Sequence, residues 1–207
     1  SEMCIRDRFF PLDIIYLVIL GIIVAVVGEI YTKYLLSFQK KAKEIFKNRY
    51  ILKMTFIGAL IGIIYSILPE IFHEFTELDN LIIDGEATGL LAFQTFLVMF
   101  LTTGLSVAAG APGGLFMPMI TLGASIGLAL NSLMIFSTGY APTTLVFAGL
   151  AAFISSCSRT PLTAIFIVLA LTHNNLILTP VLISSITSYL FSKCLNEDSI
   201  YERQLED

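Results

Sequence analysis

The residues Gly110-Ala111-Pro112-Gly113-Gly114-Leu115-Phe116-Met117-Pro118 let a backbone bend sharply and then enter a helix. Glycines take unusual dihedrals and approach a ligand closely, and Pro118 suits the first helical turn, where a missing N–H costs little. An apolar helical run follows through Phe136. The first N–H groups of a helix have no partners inside it, so amides near Leu115 and Phe116 would face outward as donors. The helix dipole adds about 0.3–1 kcal/mol of attraction for an anion, and up to about 2 kcal/mol when partly buried. Such a site suits an anion that must also leave, because dipoles hold it more weakly than full charges. Phe116 would close it with an apolar face. A phosphate loop would end in Gly-Lys-Ser/Thr, which is absent here. On these residues alone a second reading stays open, a bend that only lets two helices pack closely.

Other chemistry-bearing residues are sparse. Tyr201 is a neutral phenol that can direct one O–H at an anion, or it can be an interfacial anchor. Glu29 sits just past an apolar run. A carboxylate at the bilayer centre costs roughly 2.5–3.5 kcal/mol on insertion scales, so the favoured reading is an interfacial position paired with Lys33, four residues on. Arg159 precedes Pro161 and is read as bonding nearby carbonyls or pairing with an acid. His73 and His173 read as loop residues rather than proton relays. Cys4, Cys157 and Cys194 fit no metal spacing and read as small buried hydrophobes. No metal or cofactor is expected.

The elements that position these residues follow from composition. Hydrophobic residues make up 56% of the 207, charged residues 14%, and the mean hydropathy is +0.85. A soluble domain carries roughly 25% charged residues, so the solvent here is lipid. The net charge of -4, with no basic nucleic-acid pattern, does not favour nucleic acid as a partner. Apolar stretches recur at about 12–28, 51–69, 89–109, 115–136, 143–157, 161–172 and 176–195. A straight span needs roughly 20 apolar residues, so 143–157 and 161–172 are too short and must be shielded by other protein. Interrupted helices of this kind build midplane ion sites in many transporters. The first helix is expected to run on from about Leu12 to Phe46. Lys33, Lys40, Lys41, Lys43, Lys47, Arg49 and Lys53 place the 33–53 connection in the cytoplasm, and the acidic segment 70–86 then lies outside. Ser1 to Arg8 reads like translated sequencing-adapter DNA. Residues 1–8 are therefore set apart as a non-native scar from 9–207, a membrane domain expected to lack its upstream part.

With these residues in view, the chain resembles the CLC family of chloride channels and chloride/proton antiporters. Gly114, Phe116 and Pro118 match the family's G-x-F-x-P pattern, with the flanking glycines in register. Ser158-Arg159-Thr160-Pro161-Leu162-Thr163-Ala164 resembles its R-x-P-L-T helix start. Leu171-Thr172-His173-Asn174-Asn175 sits where the family has a short turn between helices. Ser199-Ile200-Tyr201-Glu202 resembles the start of the last membrane helix. Together these matches span roughly 11–207.

The resemblance implies an all-α polytopic membrane protein with tilted and broken helices, corresponding to the second inverted repeat and the start of the final helix. It implies that the amides of Leu115 and Phe116 and the Tyr201 hydroxyl contact chloride, with Gly113, Gly114 and Pro118 supporting the loop. The partners implied are chloride, the N-terminal repeat of the same protein, the lipid bilayer and a second copy, met through 161–172 and 176–195. The implied location is a prokaryotic plasma (inner) membrane, multi-pass, with the C-terminus cytoplasmic. The family's serine loop and its gating and proton glutamates do not occur here, which leaves channel and antiporter undecided. Ala170 stands where many relatives carry a glutamate. The competing readings are a fragment with a structural or assembly role and, less favoured, an intramembrane hydrolase, for which the two histidines offer no convincing catalytic setting.

Overall fold

Pro11 opens the longest helix among the described residues, where its missing N–H is harmless and its fixed φ suits the first turn. This helix, α1 (Pro11–Phe46), has 36 residues and ends in a basic turn at Lys43. At 1.5 Å per residue it is about 54 Å long, well beyond a hydrocarbon core of about 30 Å. It is therefore long enough to cross, with room for tilt, and still carry its basic end clear of the lipid. The expected run from Leu12 to Phe46 is present.

The computed structural model describes residues 11–46, 49–67, 88–110, 115–134, 142–172, 177–196 and 198–206. Among them every regular element is a helix: α1, α2 (Tyr50–Ile67), α3 (Gly89–Ala109), α4 (Phe116–Met134), α5 (Pro142–Ser158), α6 (Pro161–Thr172), α7 (Leu178–Leu195) and α8 (Ile200–Glu206). Stretches in α1, α2, α3 and α7 are long and apolar enough to cross a membrane, whereas α4, α5 and α6 offer shorter apolar stretches. The acidic segment 70–86, His73, His173, Gly113 and Gly114 lie outside the described residues, as do residues 1–8.

The core is centred on α5. Residues 144–157 are all buried, so this short helix is wrapped by protein as its length demands. Leu17, Leu20, Val24, Tyr31 and Leu35 of α1 and Leu115, Met119 and Leu122 at the head of α4 join α5 in one apolar cluster. Tyr31 is fully buried, its ring 5.4 Å from Phe100 and 5.6 Å from Phe153. The other short helix, α6, buries Ala164, Ile165 and Val168 but exposes Leu162, Phe166 and Leu171. Shielding from within the chain thus covers only one side of it.

Two devices set how the helices meet. Gly123 of α4 lies against Gly149 of α5 so closely that an added Cβ on Gly123 would stand 2.7 Å from Leu150 Cα and 2.8 Å from the Gly149 carbonyl oxygen. Small residues let backbones approach in this way in membranes, where lipid removes the hydrophobic drive for association. On the opposite flank of α5, Ser184 and Ser188 of α7 donate to the carbonyls of Ala148 and Ala152 at 3.0 and 2.9 Å, and Ser155 donates back to Ser185 O at 2.9 Å. Ser192 continues this buried face. Cysteine placement follows the same geometry. Cys157 is buried as expected, but Cys194 is exposed. It lies two residues past Ser192, about 200° around the helix, on the face away from α5.

Candidate anion site

Gly110 ends α3 in the left-handed conformation, φ 78° and ψ 24°, and its N–H donates to Val107 O at 3.0 Å. This is the glycine C-cap that stops a helix while pairing its last carbonyls. The chain re-enters a helix at Phe116, and the Leu115 carbonyl accepts the first α4 bond from Met119 N–H at 3.1 Å. The stretch is therefore a genuine helix break, as the glycine and proline pattern predicts. Pro118 is the third residue of α4 and has no N–H, so the first-turn donors are the amides of Phe116 and Met117, preceded by that of Leu115. The Leu115 side chain is buried, whereas Phe116 is 37% exposed and Met117 59%. Leu115 thus anchors the start of α4, while Phe116 and Met117 face outward.

Tyr201 is the second residue of α8 and is 43% exposed beside the fully buried Ile200. Ile200 and Leu115 belong to the same apolar cluster, so each proposed contact is carried next to a residue fixed in the core. The start of α8 is closed by a reciprocal cap: Glu202 Oε2 accepts from Ser199 N–H at 2.7 Å, and Ser199 Oγ accepts from Glu202 N–H at 3.3 Å. The S-x-x-E spacing of Ser199 and Glu202 is the sequence mark of this capping box, a local signal beyond the family resemblance of the same four residues.

The largest feature missed at the sequence level is a charge cluster beneath α8. Glu29 does pair with Lys33, at 3.6 Å, but its tightest partner is Arg203, whose two terminal nitrogens reach the two carboxylate oxygens at 3.0 and 2.7 Å. Bidentate pairing of this kind fixes orientation as well as adding energy. Arg159 approaches the same carboxylate at 3.9 Å. It also donates to Ser156 O at 2.9 Å, to Asn196 O at 2.8 Å and to the Ser192 hydroxyl. Both expectations for Arg159, backbone carbonyls and an acid, hold together. Its backbone sits at φ 61°, the one positive φ outside glycine among the described residues.

A family model described as voltage gated chloride channel matches residues 3–193. The H(+)/Cl(-) exchange transporter ClcA of Vibrio campbellii is 27% identical over 193 residues, covering 90% of this chain and 41% of that relative. The protein of the same name from Vibrio cholerae serotype O1 (strain M66-2) is 30% identical over 162 residues, covering 77% of this chain and 35% of its own length. The chain thus spans about two-fifths of the curated relatives it matches. A crystal structure of a slow cyanobacterial Cl-/H+ antiporter superposes with a TM-score of 0.80 at 23% identity, over 99% of this chain and 49% of its own. This chain therefore shares the fold of about half of that structure. With its apolar spans, its helix break at Gly110–Phe116 and a family match over most of its length, this multi-pass membrane chain belongs to the voltage gated chloride channel family.

Proposed function

We propose that the protein carrying this chain moves chloride across the membrane, and that residues 9–207 supply its second inverted repeat and the start of its final helix. In this reading chloride accepts from the amides of Leu115 and Phe116 and from the Tyr201 hydroxyl, while Gly113, Gly114 and Pro118 shape the loop. The observation that carries the proposal is the break between Gly110 and Phe116, where a new helix opens beside a buried leucine. Half-exposed Phe116 and Tyr201 fit a pathway completed by another part of the same protein. The names of the Vibrio relatives favour proton-coupled exchange over a channel.

The proposed setting is a prokaryotic inner membrane, with the basic turn between α1 and α2 and the C-terminus in the cytoplasm. A second copy is proposed to pack on α6 and α7, which present Leu162, Phe166, Leu190 and Phe191 outward. Full-length protein in chloride-loaded liposomes tests the function. Chloride should leave when potassium is allowed to compensate charge, and a chloride gradient should drive protons uphill. Tyr201→Ala should weaken chloride binding by calorimetry about tenfold, the scale of one hydrogen bond near the upper end of 0.5–1.5 kcal/mol. Liposomes that retain chloride as well as protein-free ones would reject the proposal.

A further inference from the structure

Where α1 ends and α2 begins, a cavity of about 320 Å³ is lined by Ala42, Lys43, Phe46, Arg49, Tyr50 and Lys53. This volume lies at the small end of the roughly 300–1,000 Å³ typical of ligand sites. Among the described residues its lining carries three cations and no carboxylate. Lys53 is held in place, with Nζ 5.5 Å over the Tyr50 ring. On the same two helix ends Ile45, Ile51, Leu52 and Phe56 are exposed apolar side chains, Phe56 with its ring 6.0 Å from that of the lining Phe46. Charges of one sign gathered in a small concavity beside a greasy rim match an anionic headgroup whose chains run along the protein. Arginine adds a planar fork suited to phosphate oxygens, and lysines add point charges.

The geometry points to a binding site for a phosphate group, carried by an anionic phospholipid, in the pocket formed by Lys43, Arg49, Tyr50 and Lys53. Occupancy of this pocket is coupled to the chloride loop. Tyr50 Oη donates to Gly110 O at 3.3 Å, and an added Cβ on Gly110 would stand 3.4 Å from Lys53 Nζ. Gly110 is the left-handed residue at which α3 turns toward Leu115 and Phe116. A headgroup that draws Lys53 or Tyr50 toward itself therefore acts on the residue that opens that loop. The coupling rests on the chloride reading above; the phosphate site does not.

The test uses full-length protein in detergent and follows the thermal unfolding midpoint on titration with short-chain phosphatidylglycerol, short-chain phosphatidylcholine or inorganic phosphate, because a ligand that binds the folded state raises that midpoint. Phosphatidylglycerol should stabilise the protein and phosphatidylcholine should not. Arg49→Gln with Lys53→Gln should need roughly thirtyfold more lipid for the same shift, from about fivefold per surface cation. Lys40→Gln, an exposed cation on α1 outside the pocket, should respond like the parent. A shift reproduced by inorganic phosphate at equal concentration would support the site and identify the free ion as its occupant. Equal stabilisation by phosphatidylcholine, or an unchanged response in the Arg49/Lys53 variant, would overturn the site. Tyr50→Phe should keep the lipid response and lose the effect of phosphatidylglycerol on chloride affinity; retention of that effect would overturn the coupling. A parent that binds the lipid but no chloride would reject the chloride reading alone.

Discussion

Arg203 of α8 grips Glu29 of α1 through both terminal nitrogens, at 3.0 and 2.7 Å, across 174 residues of sequence. Both side chains are nearly enclosed, at 11% and 7% exposure. Tyr201 lies two positions before Arg203, about 200° around the helix. Holding Arg203 against α1 therefore restrains the rotation of α8 and with it the direction of Tyr201.

The two partners should not be equally costly to lose. Removing Arg203 leaves Glu29 with Lys33 and Arg159, whereas Glu29→Gln leaves three cations around a neutral amide. Breaking a buried pair costs about 3–5 kcal/mol. Glu29→Gln should approach that loss, and Arg203→Ala should fall clearly below it, as read from denaturant unfolding of the full-length protein. Equal losses would mean that Arg159 and Lys33 do not sense the carboxylate.

Ser199→Ala should cost about 1 kcal/mol, the usual value of an N-cap hydroxyl. Glu202→Gln should cost less, because an amide oxygen can still accept from the Ser199 N–H. Combining the two should cost less than their sum, since each completes the same cap. Amide exchange at the first turn of α8 measures this locally, without requiring global unfolding.

Gly123→Ala should destabilise the α4–α5 crossing by about 1–3 kcal/mol or more, the scale of overpacking, because the new methyl group meets backbone on α5. Gly58→Ala in α2, with open space around it, should be neutral or stabilising by its better helix propensity. Thermal unfolding of the two variants side by side checks the contrast.

Arg159→Gly relieves a left-handed backbone that costs of the order of 1 kcal/mol in a residue with a side chain. It also deletes bonds to Ser156 O, Asn196 O and Ser192. The charge-assisted bonds, worth about 1.5–3 kcal/mol each, outweigh the strain. The variant should therefore be less stable than the parent. A more stable Arg159→Gly protein would show that the guanidinium contributes little.

Much of this architecture could be read from the chain. Apolar runs located the helices, the lysines foretold the basic end of α1, and Gly110 with Pro118 marked the interruption before Phe116. What escaped was long-range or periodic in an unexpected residue type. Lys33 was visible as a partner for Glu29 because a helix brings positions four apart together. Arg203 was not, because no local rule links α1 to α8. The recurrence of Ser184, Ser188 and Ser192 at every fourth position was available as a signal. Serines at that spacing fill one stripe of a helix, and in lipid such a stripe faces a neighbour. Cys194 was misplaced for a related reason, since toward the end of α7 the apolar Ile186, Leu190, Phe191 and Leu195 are exposed while Ser184, Ser188 and Ser192 are buried.

The closeness of Gly123 and Gly149 bears on how such a protein moves. Two helices whose main chains already touch have no side-chain cushion to slide over. The head of α4 is therefore tied to α5 as a fixed jaw. Any movement beside Phe116 would therefore come from whatever faces α4 rather than from the α4–α5 crossing, since Arg203 and Glu29 hold α8 as well.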